Sequence, residues 1–276
     1  MFTASHRRLL VVAVISLAFV ALVSTTRANH AWGSYHWART SNPFTLRIAN
    51  NMTGTWPTYF NTAVSDWDKS TVITFAPYVS TANKRCPMVA GTVQVCNGTY
   101  GSNGWLGLAS INITNGVHIT QGSAKMNDTY FNLATYNNPN EKLHVVCQEI
   151  GHTFGLGHTS EDGSSQNTCM DYFSNTGANA GSTASTHPNQ HDYDQLLSIY
   201  AHLDSTNTAT SSASKSAGQS EVTDDPNSWG HMVSQSANGR SSTYERYNSD
   251  NSKTITHVTW TEEAASRGNS DHRYDH

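Results

Sequence analysis

Residues 148–158 read QEIGHTFGLGH, and no other stretch of this chain restricts the fold as tightly. On an α-helix, residues four apart lie one above the other with about 6 Å of rise. Gln148 and His152 therefore face one point, and Glu149 projects beside it. His158 lies too far along to reach that point from the same helix unless the chain turns sharply. Gly155 supplies the turn, since glycine adopts left-handed backbone geometry without strain and commonly stands just past a helix end. A helix, a tight reversal and a side chain returning from beyond it can hold a metal ion with a carboxylate close to water on that ion.

The flanking sequence supplies an α+β frame. PFTLRIANN (Pro43 to Asn51) reads as a strand. An amphipathic helix follows, with Phe60, Ala63, Val64 and Trp67 at helical spacing and Pro57 near its start. TVITFAPYV and GTVQVC read as two more strands, giving the rhythm of a βαβ unit. WLGLASINI (Trp105 to Ile113) and GVHITQG (Gly116 to Gly122) add a pair of short strands. The helix carrying the motif is expected from about Glu141 to Phe154, with an asparagine as its cap. In PNQHDYDQLLSIYAHL, Tyr193, Leu196, Leu197 and Tyr200 predict a helix that closes the domain. From 204 to 228 the chain is rich in Ser and Thr and reads as a flexible linker. The remainder, 229–276, predicts a small β-hairpin appendage around the polar turn SDNS.

Two arginines, an apolar run from Leu9 to Val23 and small polar residues as far as Ala28 form a secretory signal peptide over 1–28. Its removal takes away Arg7, Arg8 and Arg27 and no acid, which moves the formal charge from −4 to −7. No basic stripe is present to neutralise phosphates, which argues against nucleic acid as a partner. The apolar run is short for a membrane span, so no stable membrane association is expected after cleavage, and a secreted, extracellular monomer is. Cys86, Cys96, Cys147 and Cys169 point to disulfides and permit three pairings. A Cys86–Cys96 bridge would close a short loop. His144, eight residues before His152, reads as an exposed helix histidine. His30, His36, His118, His187, His191, His202, His231, His257, His272 and His276 show no spacing that pairs them with a second motif, and most are expected at the surface.

QEIGHTFGLGH resembles the metzincin zinc-peptidase pattern HExxHxxGxxH at every defined position except the first. TCMDY (Thr168 to Tyr172) resembles the Met-turn of that clan, and the likeness runs from about Pro43 to Leu203. The resemblance implies a catalytic domain over 29–203 with a twisted mixed sheet, an active-site helix and a C-terminal helix. It further implies one Zn2+ bound by His152 and His158, with Glu149 as the general base and Met170 as an apolar floor beneath the ligands. Tyr172 would stand near the metal, able to donate to the oxyanion of a tetrahedral intermediate. The substrate would be a polypeptide, read by strand addition along GLASI (Gly107 to Ile111). A Cys147–Cys169 bridge would tie the Met-turn to the active helix.

The departure is Gln148, whose neutral amide oxygen is a weaker zinc donor than imidazole nitrogen. Some gametolysin-like metzincins carry glutamine at this place, and by that resemblance Gln148 is the third metal ligand, with another divalent ion able to replace zinc. The implied function is that of a secreted metalloendopeptidase. The alternative is a secreted binding protein of the same fold, catalytically weak or inactive because its first ligand is glutamine.

Overall fold

The computed structural model describes residues 30–80, 85–210 and 222–267. The expected signal peptide, much of the expected linker and the last nine residues lie outside them. Among the described residues no helix is long and apolar enough to cross a membrane.

The first strand pair is short: β1 (His36–Trp37) lies parallel to the start of β6 (His118–Asn127). In β2 (Phe44–Asn51), Phe44, Leu46 and Ile48 alternate inward, as a half-buried strand requires. The connection to β3 (Ile73–Val79) is α1 (Trp56–Trp67), which buries Phe60, Ala63, Val64 and Trp67 on one face. β2 runs parallel to both β3 and β4 (Thr92–Gly98), and β4 runs parallel to β6. β5 (Trp105–Thr114) pairs antiparallel with β6, as expected of two strands joined by a tight turn. After a single helical turn, α2 (Asp128–Phe131), comes α3 (Pro139–His152). Asn138 caps α3 by accepting from the Glu141 amide, and Pro139 occupies the first turn, where a missing N–H costs nothing. α4 (Gln190–Ile199) starts at a capping box between Asn189 and Asp192. Both disulfides form as expected, Cys86–Cys96 and Cys147–Cys169.

The segment after the linker departs from expectation. The hairpin of β8 (Ser241–Tyr247) and β9 (Lys253–Trp260) is present, preceded by β7 (His231–Gln235). It is no appendage, however. β9 pairs antiparallel with β5 along nearly its whole length, so the sheet continues as β3-β2-β4-β6-β5-β9-β8-β7. The physical reason lies in the sequence KTITHVTW. Every residue of β9 after Lys253 is buried, and the strand must be covered on both faces. Ile255 joins the main core, while Val258 and Trp260 pack with Trp105, Leu108, Trp229 and Tyr244 in a second cluster. β5, expected as a free edge open to an extended substrate, is therefore an interior strand.

Asn51, Asn97, Asn112 and Asn127, all followed by the Ser/Thr pattern of glycosylation acceptors, are buried in these strands, where a sugar has no room.

Candidate metal centre

α3 presents Gln148, Glu149 and His152 from its last turn and a half. The chain then reverses at Gly155, whose φ is +99°. A Cβ at Gly155 would lie 2.2 Å from the Tyr35 carbonyl oxygen, so only glycine fits this close approach. Leu156 bridges to Ala31, and His158 returns toward the helix. Its ring centre lies 4.6 Å from that of His152.

Gln148 is engaged elsewhere. Its amide nitrogen donates to the Asp171 carbonyl at 2.7 Å, and its Oε1 accepts from the Thr259 hydroxyl at 3.1 Å. A carbonyl can only accept, which fixes the amide orientation. Gln148 thereby ties α3 to the residue after Met170 and to β9. Both ends of the amide, whose oxygen was expected to meet a cation shared with the two histidines, are thus engaged by Asp171 and Thr259.

The third imidazole comes from β9. His257 has its ring centre 4.1 Å from that of His152 and 4.6 Å from that of His158, and ring nitrogens of the three all lie within 4.8 Å of one another. In the ladder, His257 sits opposite Ala109 and Thr259 opposite Gly107. The sequence signal for His257 was weak: one histidine in a run of β-branched residues, on the inward face with Ile255.

The hydrogen bonding of the centre is incomplete in a telling way. His152 Nδ1 lies 2.8 Å from the Leu156 carbonyl oxygen, so this nitrogen carries the proton and Nε2 keeps its lone pair. His158 Nδ1 lies 2.5 Å from the Tyr172 hydroxyl, which also contacts the Ser241 hydroxyl. A Tyr172 that donates to Ser241 and accepts from His158 leaves Nε2 of His158 free too. His152 Nε2, His158 Nε2, both nitrogens of His257 and Glu149 Oε2 are buried without hydrogen-bond partners. Such groups normally have one, and these nitrogens are a set that could hold a metal ion. Burial lowers His152 and His257 to about 3 and holds His158 well below its ordinary value. The rings are thus neutral, as ligands must be. Burial also pushes Glu149 up to about 7.

Glu149 is held on two sides. Its Oε1 accepts from Thr259 at 2.6 Å, and its Oε2 lies 3.6 Å from His257 Nδ1. Met170 packs against Gly151, where a Cβ would lie 2.5 Å from its sulfur. The Met-turn therefore braces α3 one residue before His152. His144, expected at the surface, is buried and lies within hydrogen-bond distance of Asn175 and the Asp171 carbonyl. His30 and His36 are buried as well. A cavity of about 400 Å³ opens onto His152, His158 and His257, walled by Trp32, Glu161 and Glu245. Trp32 sets its edge against both His152 and His257.

No protein-family model matches the chain, and no curated protein does. Among solved structures it is similar to myroilysin at 12% identity over 62% of this chain and 98% of that one, with a TM-score of 0.36. It is also similar to high choriolytic enzyme 1, a hatching-enzyme zinc protease of the medaka Oryzias latipes. There the identity is 13% over 61% of this chain and 95% of that one, with a TM-score of 0.33. Scores at this level carry no argument, and the chemistry of the centre rests on its own residues.

Proposed function

We propose that this chain is a metal-dependent endopeptidase, with one divalent ion held by His152, His158 and His257 and with Glu149 as the proton acceptor. The observation that supports it is the set of buried imidazole nitrogens without partners, gathered beside an unpartnered carboxylate oxygen. Three nitrogen ligands with a position left open is the donor set of a catalytic zinc site. Zn2+ bound there would polarise a carbonyl and make water acidic enough to react near neutral pH.

The rest is done by the chain. Glu149, beside the three imidazoles, would take a proton from water and pass it to the leaving amine. The Tyr172 hydroxyl, committed to His158 and Ser241, orients a ligand rather than meeting an oxyanion. Partners of this kind typically matter by about 10–100-fold in metal affinity or activity. With β9 on β5, a polypeptide substrate reaches the centre through the cavity beside Trp32 and Glu245. Two disulfides and the N-terminal signal sequence support secretion into an oxidising compartment.

One observation favours the alternative, a metal-holding protein of low activity: Thr259 closes over Glu149, which does not line the cavity. Purified full-length protein, its metal content measured, is to be incubated with a denatured protein substrate with and without chelator. The peptidase reading expects chelator-sensitive cleavage that Glu149→Gln abolishes while metal content stays. It expects metal loss in His257→Ala and retention in Gln148→Ala. Equal cleavage by wild type and Glu149→Gln would remove the assignment, and bound metal without cleavage would select the alternative.

A further inference from the structure

A second set of donors lies where the N-terminal segment meets the first turn of α4. His30 and Asp192 are 3% and 0% exposed, and His30 Nε2 stands 3.6 Å from Asp192 Oδ1. Neither of these two atoms has a hydrogen-bond partner. The other polar atom of each side chain is engaged. Asp192 Oδ2 accepts from the Asn189 amide at 2.7 Å and from the Thr168 hydroxyl at 2.5 Å, which leaves Oδ1 toward the ring. His30 Nδ1 lies 3.2 Å from the Gly157 carbonyl oxygen. His191, half-buried, lays its ring against that of His30 with 4.7 Å between centres. One ring nitrogen of each histidine and one oxygen of Asp192 lie within 4.8 Å of one another.

Protons alone do not close this contact. A carbonyl only accepts, so a neutral His30 carries its hydrogen on Nδ1 and presents a lone pair at Nε2. That lone pair faces a carboxylate oxygen, and two buried acceptors meet. The other tautomer sets a lone pair against the Gly157 carbonyl instead. A second proton on the ring, or one on Oδ1, would have to bridge 3.6 Å, which is too long for a hydrogen bond. A water donating to both atoms at ordinary lengths would do so across about 80°, narrower than the angle between its own O–H bonds. A metal ion meets no such difficulty. With bonds of about 2.0–2.1 Å, ligand atoms at that separation subtend about 120°, close to the tetrahedral angle.

We propose that His30, His191 and Asp192 bind a divalent transition-metal ion of the zinc type, separate from the ion at His152. His30 Nε2 and Asp192 Oδ1 already face each other, and His191 completes the set by turning its half-buried ring from the stack toward the gap. Two imidazoles and a carboxylate are a donor set that zinc accepts. The place of the ion gives it a role in the fold. The His30 carbonyl accepts from the Gly157 amide, and the Trp32 amide donates to the Gly155 carbonyl, so residues 30–32 lie along the turn that joins His152 to His158. An ion between His30 and Asp192 fastens the start of that segment to α4 and braces the turn from behind. The assignment holds whether or not the chain cuts peptides.

The test keeps the two centres apart. A full-length His152→Ala/His257→Ala variant, whose first centre has lost two of its ligands, is titrated with zinc by calorimetry and checked by elemental analysis. It is expected to take up one equivalent, and adding His30→Gln should abolish that uptake. A folded background variant that takes up no zinc overturns the proposal, and so does an uptake that His30→Gln leaves unchanged. If circular dichroism shows the background variant unfolded, His191→Ala in the otherwise wild-type chain decides. It is expected to weaken the binding of one zinc equivalent by about tenfold or more, whereas a titration that superimposes on that of the wild type refutes the site.

Discussion

Gly107 carries no side chain because Glu149 occupies the space that one would need. A Cβ there would lie 2.4 Å from Glu149 Oε1 and 2.7 Å from Val145 Cγ1. Gly107→Ala is therefore expected to push the carboxylate aside without touching an imidazole. A misplacement of about 1 Å at a reacting group costs on the order of 100-fold in rate. The variant should lose roughly that much kcat while its metal content stays near wild type, read by steady-state cleavage beside elemental analysis. At this scale the sequence was informative wherever neighbours share a helix. Glu149, His152 and His158 lie within one helix and its turn, and their spacing alone brings them together. Gln148 shows the limit of that logic: spacing aims the side chain, but the carbonyl of Asp171 and a hydroxyl on Thr259 engage its amide. His257 was out of reach, since no local period links a strand residue to a helix more than a hundred positions earlier.

α3 is held by more than its own hydrogen bonds. The Cys147–Cys169 bridge spans 22 residues and joins the helix to the Met-turn, while Trp67 of α1 donates its indole N–H to the Cys147 carbonyl. Replacing both cysteines by serine should lower stability by about 3 kcal/mol in the loop-entropy account, measured as a fall in the urea midpoint at unchanged slope. Among the strands, β2 to β6 were readable because each carries its own apolar run and turn signals. The β8–β9 hairpin was readable from its polar turn. What could not be read was that β9 docks on β5. Pairing between strands far apart in sequence is decided by which faces need cover, here Trp105 and Leu108 against Val258 and Trp260. The word appendage failed for that reason.

Across the whole molecule, the proposed ion at His152 connects helix, turn and the strand nearest the C-terminus, so its removal should be felt as folding free energy. Exhaustive chelation is expected to lower the melting temperature and to speed amide hydrogen exchange in β9 more than in β2. Uniform exchange across the sheet would argue against a link through His257. The α+β class followed from the order of periodic segments. The unity of the sheet did not, because a Ser/Thr-rich stretch separates its last three strands from the rest and reads as a boundary. That arrangement has a consequence for biosynthesis. His152 and His158 are synthesised well before His257, so a nascent polypeptide that has not yet reached position 257 possesses two of the three imidazoles of the proposed centre and no closed ring of donors. A copy cut short before that residue would lack the activity proposed for the finished fold.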